Sequence, residues 1–261
     1  MGKLEVKDLM VRIGERIYLN EISFELAIGK TLVIIGESGS GKTMLSRLLI
    51  GQRPEDVSEI TGEIMFDENN LLTMSNKMWS RYRGISIAYI AQNPMALFNP
   101  NQSIESHAYE LFNSRLSLNR EQSMKKLVHA LSNFNLKNPE IIAKKYPFQL
   151  SGGMLQRIMF AMMMELSPVL IIADEPTSAL DEYNTQTIID TLKKCQGEGT
   201  SLIVITHDYE LVKQLADDVI ILKDGNIVER GAAESILENP QTDYGKELLL
   251  PKKYSRWEGA K

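Results

Sequence analysis

A chain of 261 residues with 43% hydrophobic content can bury the core of one large domain or two small ones, which excludes a disordered or fibrous protein. Its formal net charge of -5, with no block of Lys and Arg longer than a pair, argues against a nucleic-acid partner held by a basic field. Cys195 is the only cysteine, so the chain can build neither an internal disulfide nor a thiolate metal cage, and Cys195 itself is expected as an ordinary helix-face residue.

The N-terminal "MGKLEVKDLM" has no signal-peptide core, and Val6 stands where myristoylation requires Ser or Thr, so neither export nor acylation is expected. The longest apolar runs, such as "IMFAMMM" and "VLIIA", are too short to cross a bilayer, so membrane association is expected only through a partner protein. From Lys3 to Ile28 the sequence alternates, with Ile22, Phe24, Leu26 and Ile28 on one face, which predicts antiparallel strands. "TLVIIGE" from Thr31 is a continuous apolar run ending in glycine, as expected of a strand buried on both faces of a parallel sheet. "ISIAYIAQ" from Ile85, "VLIIADE" from Val169 and "SLIVITHD" from Ser201 share that form, and their polar ends would gather at the carboxyl edge of the sheet, where ligands of open α/β sheets sit. Residues 93–167, rich in Leu, Met, Lys, Glu and Asn at helical spacing, predict a helical subdomain inserted into the α/β core. "DDVIILKDGNIVERG" predicts a hairpin turning at Asp224-Gly225. One domain over 1–231 is expected, followed by a short tail, 232–261, that begins as a helix and then becomes weakly ordered.

"GESGSGKT", comprising Gly36, Glu37, Ser38, Gly39, Ser40, Gly41, Lys42 and Thr43, matches G-x-x-x-x-G-K-[ST] between a buried strand and the amphipathic "MLSRLLIG". Its glycines let backbone N–H groups turn around phosphate oxygens, and the following helix adds the positive end of its dipole. Lys42 is then expected on the β- and γ-phosphates of a nucleotide, with the Thr43 hydroxyl on Mg²⁺. In "LIIADE", Asp174 suits a Mg²⁺ contact and Glu175 can address an attacking water. Gln92 ends the "ISIAYIAQ" run and its amide can touch Mg²⁺ and the helical insert; His207, after "SLIVIT", can hydrogen-bond a γ-phosphate or orient water. His107 and His129 have no such setting and are expected as ordinary residues.

Together with "LSGGMLQR" and "SALD" at Ser178 to Asp181, these motifs stand in the order of the ATP-binding cassette family, which the chain resembles over nearly its whole length. The resemblance implies a phosphate-loop NTPase core with a parallel sheet, an N-terminal antiparallel β subdomain and an inserted helical subdomain, and ATP hydrolysis with ATP and Mg²⁺. It further implies that two cassettes pack head to tail, so that Ser151, Gly152 and Gly153, together with Asp181, serve the nucleotide held by a partner. An N-capping serine followed by two glycines suits such an anion site without a charged side chain. Many members stack adenine on an early aromatic residue; Ile13 occupies that position here, and Tyr18 is the nearest aromatic.

"QNPMALFNPNQSI", "SGGMLQRIMFAM", "IIADEPTSALD" and "NPQTDYGKELL" are similar to the peptide, opine and nickel importer branch. That resemblance implies a related, heterologous second ATPase subunit, two membrane permeases, an extracytoplasmic binding protein, and a place on the cytoplasmic face of the membrane. The chain stops soon after "NPQTDYGKELL", which favours a nickel or metal-chelate importer, with di- and oligopeptide import as the alternative. A non-transport cassette ATPase usually carries two cassettes or a coiled-coil insertion, and a phosphate-loop kinase leaves "LSGGM" unexplained. The three histidines and one cysteine fit no metal-ligand spacing, so a transported ion is not expected to touch this chain.

Overall fold

The computed structural model describes residues 3–178 and 180–254. The chain opens with β1 (Leu4–Ile13) and β2 (Arg16–Leu26), an antiparallel pair turning at Gly14 with φ 58°. Leu4, Val6, Leu9 and Val11 of β1 and Leu19, Ile22, Phe24 and Leu26 of β2 are buried. Ile28, expected on that face, is instead 54% exposed, because β2 ends at Leu26 and the chain turns through Gly29 at φ 68°.

The five residues of β3 (Thr31–Ile35) are all buried, and the strand leads through the phosphate loop into α1 (Lys42–Leu49). β4 (Glu59–Phe66) and β5 (Asn69–Asn70) then return to the first sheet, and α2 (Asn76–Tyr82) follows behind a Ser75 N-cap. β6 (Ile87–Ile90) is shorter than the apolar run suggested, and Ile85 outside it is 41% exposed. The expected insert is helical throughout its regular elements: α3 (Ile104–Leu116), α4 (Arg120–Asn133), α5 (Pro139–Ala143) and α6 (Gly152–Met164), with 3₁₀ turns at Pro94–Leu97 and Pro147–Gln149. Local sequence starts these helices, since Ser103, Asn119 and Ser151 each accept from a backbone N–H of the first turn and Gln122 completes a capping box with Asn119.

The second half alternates: β7 (Leu170–Asp174), α7 (Glu182–Gly197), β8 (Ser201–Ile205), α8 (Tyr209–Leu215), then β9 (Asp218–Lys223) and β10 (Asn226–Ala232). The β9–β10 hairpin turns at Asp224 and Gly225, both with positive φ, as the dipeptide predicted. Two helices close the described chain, α9 (Ala233–Glu238) and α10 (Asp243–Tyr254), where one was expected; Tyr244 and Leu249 of α10 belong to the main core. Residues 255–261, expected to be weakly ordered, lie outside the described residues.

One sheet has the order β2-β1-β4-β5 and is antiparallel; the other runs β10-β9-β3-β8-β7-β6, parallel except for β10. The larger sheet divides the core. Val33 and Ile35 face the helical side with Phe112 and Phe160, while Leu32 and Ile34 face α1 and the antiparallel sheet, with Leu45, Leu48 and Phe66. That two-sided burial is why β3 reads as an unbroken apolar run. With β3 between β9 and β8, and β7 beside β8, the loops after β3, β7 and β8 come together at one edge. No helix among the described residues is long and apolar enough to cross a membrane.

Candidate active site

A cleft of about 610 Å³ lies at that edge, lined by Gln92, Asp174, Glu175, His207 and every residue of the phosphate loop except Ser40, which is buried. Gly41, the residue before α1, sits at φ 108° with its Cα against the first sheet; an added Cβ would stand 2.8 Å from Tyr18 O and from Leu19 Cδ2. Gly39, at φ 85°, has nothing within 4 Å of an added Cβ, so this part of the loop is open to a ligand. The loop is tied from behind: the Gly225 N–H donates to Ser40 O at 3.0 Å, and the Asn20 N–H donates to Gly225 O at 2.8 Å.

The Lys42 ammonium donates to the carbonyls of Gly36 and Glu37, each at 2.7 Å, and reaches Ser40 Oγ at 3.3 Å. It has no carboxylate within ion-pair distance among the described residues, and burial lowers its pKa. A half-buried cation held only by neutral oxygens is poised for an anion.

Asp174 ends β7 and is 4% exposed. Its Oδ2 accepts from the Ser46 hydroxyl at 3.2 Å and from the Tyr89 hydroxyl at 3.4 Å; burial nonetheless holds its carboxyl above the ordinary range. Thr43 and Gln92 are exposed at the cleft, so a hydroxyl, an amide oxygen and a carboxylate gather there, a hard-oxygen donor set. Glu175 holds the left-handed backbone conformation (φ 47°), fixed by its N–H donating to Ile205 O at 2.8 Å. Its Oε1 lies 2.7 Å from His207 Nδ1, and Thr206 Oγ1 donates to Oε2 at 3.4 Å.

The second glycine turn is elsewhere. Ser151 caps α6 by accepting from the Met154 N–H at 3.3 Å, an added Cβ on Gly152 meets nothing within 4 Å, and none of Ser151, Gly152 and Gly153 lines the cleft. Asp181 caps α7; the Asn184 N–H holds its carboxyl below the ordinary range, and it too lies outside the cleft. Ala179 of "SALD" is not among the described residues. At the cleft mouth Tyr18 is present and Ile13 is not, and the Arg16 guanidinium sits 4.7 Å from the Tyr18 ring centroid. His107 contacts Asn99 O and Phe98, His129 lies 3.7 Å from Glu165, and neither is near the cleft. Among the described residues no three His, Cys, Asp or Glu side chains cluster as a metal site.

Several residues of the site were given no role by the sequence. Ser46 lies one turn after Thr43, facing Asp174, and that helical spacing was its only signal. Buried Gln156, inside "LSGGMLQR", donates through Nε2 to Pro176 O at 2.6 Å and thereby ties the signature helix to the loop after the acidic pair. Tyr89, Tyr244 and Leu248 are brought in by tertiary folding alone.

Residues 19–178 match the ABC transporter family. The chain is 37% identical over 236 residues to the metal-staphylopine import system ATP-binding protein CntD of Staphylococcus aureus, covering 90% of this chain and 87% of that one. It is 36% identical over 252 residues to the oligopeptide transport ATP-binding protein OppD of Bacillus subtilis, covering 94% and 70%. In fold it is similar to the ATP-binding cassette MJ0796, solved as a dimer in a post-hydrolysis state bound to ADP and Pi, with a TM-score of 0.77 at 24% identity over 88% of this chain and 98% of that one. The chain belongs to the ABC transporter family and is one of its ATPases.

Proposed function

We propose that this chain is the ATP-hydrolysing subunit of an importer for a metal ion or metal chelate, nickel among the candidates. The observation that carries the cargo is the 37% identity to a metal-staphylopine import ATPase over 87% of that protein. The near-equal identity to an oligopeptide transport ATPase supports a second reading, import of small peptides. In either case the chain works at the cytoplasmic face of the membrane, docked on two permease subunits, beside a related second ATPase and served by an extracytoplasmic binding protein. Its own part is the handling of ATP.

In this reading backbone N–H groups of the loop from Gly36 to Thr43 and the start of α1 hold the phosphates, and Lys42 gives up its carbonyl partners for the β- and γ-phosphate oxygens. Thr43, Gln92 and Asp174 would hold Mg²⁺, which supplies charge neutralisation on the transferring phosphoryl group. Glu175 takes a proton from the attacking water, and its strained backbone together with Thr206 fixes where the carboxylate points. His207 aligns Glu175 through Nδ1. If that nitrogen donates, a neutral ring presents Nε2 as an acceptor, so contact with a γ-phosphate oxygen needs a second ring proton or release of Glu175. Ser151, Gly152, Gly153 and Asp181 serve the nucleotide of the facing subunit; their position outside this chain's own cleft supports that assignment.

The test is uptake of radioactive nickel and of a labelled dipeptide in cells with and without this gene. Loss of nickel uptake alone is expected; loss of dipeptide uptake alone would replace the cargo with peptides.

A further inference from the structure

Helix α10 contacts the phosphate loop in a way none of the assigned roles uses. The Tyr244 hydroxyl accepts from the backbone N–H of Glu37 at 3.1 Å. Its ring is buried in the main core, with the Lys223 ammonium 4.4 Å from the ring centroid. One turn later Leu248 lines the nucleotide cleft itself, and with Leu249 it borders a small cavity shared with Gly36 and His207.

The segment before Tyr244 is itself anchored. The Glu229 carboxylate accepts from the N–H groups of Gln241 and Thr242 at 2.7 and 3.0 Å and from the Thr242 hydroxyl at 2.6 Å. A Cβ on Gly245 would stand 2.5 Å from Glu229 Oε2 and 3.1 Å from Ile221 Cδ1, so a glycine is what lets α10 seat this close. Glu229, Gly245 and Tyr244 thus form a continuous linkage from β10 to the phosphate loop, built from the "NPQTDYGKELL" stretch.

We propose that Tyr244 is a positioning residue for ATP binding: it holds the Glu37 amide and so keeps the phosphate loop in its anion-binding shape. This rests on the reading of Gly36 to Thr43 as the phosphate site. With the hydroxyl removed, the loop gains by moving to conformations in which the Glu37 amide meets water. The binding-competent fraction falls, and the apparent Kd rises in proportion. One ordinary hydrogen bond corresponds to a rise of about fivefold.

Tyr244→Phe keeps the ring and its packing. Equilibrium dialysis of labelled ATP with the full-length chain should give a Kd about fivefold weaker than wild type. An unchanged Kd overturns the proposal whatever the change in Tm, because a merely structural role moves Tm alone. In the wild-type chain, ATP should also slow amide exchange in residues 243–249 along with 36–43; unchanged exchange in 243–249 overturns it without any variant. Lys42→Ala separates the two layers. If it binds ATP as wild type does, the phosphate-site reading falls and takes this one with it; if it is impaired while Tyr244→Phe is not, only the role of Tyr244 falls.

Discussion

Ser46→Ala tests how Asp174 is kept charged inside the protein. Ser46 is fully buried, and its hydroxyl is the shorter of the two that Asp174 Oδ2 accepts, 3.2 Å against 3.4 Å from Tyr89. A hydrogen bond to a charged group contributes ~1.5–3 kcal/mol, and the variant leaves a buried carboxylate with the longer partner only, so a loss of about 2 kcal/mol is expected. For a chain of this length that lowers Tm by roughly 4–8 °C. The pH dependence has a definite sign. Burial raises the Asp174 pKa in the folded chain and Ser46 counteracts the rise. Without Ser46 the folded pKa climbs further above the unfolded one, so the ionised carboxylate costs more stability; that extra cost is absent where Asp174 is protonated in both states and complete above the folded pKa. Thermal unfolding of the nucleotide-free chain, followed by circular dichroism from neutral to mildly acidic pH, should show the Ser46→Ala deficit shrinking as pH falls. In an Asp174→Asn background the same substitution should cost much less. A deficit below ~0.5 kcal/mol at neutral pH, or one that grows toward acid, refutes the reasoning.

Glu175→Gln should retain ATP binding but lose nearly all turnover in the assembled transporter, accumulating a nucleotide-bound closed pair; near-normal ATPase activity would remove Glu175 from its role. Ser151→Arg should leave ATP binding by the single chain at wild-type affinity and block closure onto a partner, and loss of binding in that chain would place the signature at its own nucleotide. Gly41→Ala forces a side chain into φ 108° and against Tyr18 O at 2.8 Å, so ATP affinity measured by dialysis should fall at least tenfold, the equivalent of ~1.4 kcal/mol of strain.

The phosphate-loop motif was legible because it is local: its glycines, lysine and threonine stand within eight consecutive residues, and the structure places Lys42 and Thr43 on one cleft with Asp174 and Glu175. Asp174 and Glu175 were legible for a related reason, since two adjacent acids at the tip of an apolar strand need a task. What supports them was not. Ser46 and Asp174 meet across 128 positions and Tyr244 meets Glu37 across 207, and no periodicity encodes contacts of that range. The strands between Ile50 and Gly84 were missed because β4 buries only Ile64 and Phe66 and so shows little alternation. The tail carried helical residues, but its docking depends on Gly245 fitting beside Glu229, which only the tertiary structure displays. The helical insert, by contrast, was legible in its composition and helical spacing, and the caps the structure adds at Ser103, Asn119 and Ser151 are bonded to residues of the first turn.

The central claim is that ATP turnover in the cleft around Lys42 drives import. Cells lacking the gene and given either the wild-type copy or a Lys42→Ala copy at equal expression are the direct comparison, with uptake of radioactive nickel and labelled dipeptide as the readout. The wild-type copy should restore whichever uptake was lost, and the Lys42→Ala copy should leave it at the level of the deletion. Full restoration by the Lys42→Ala copy would contradict the claim.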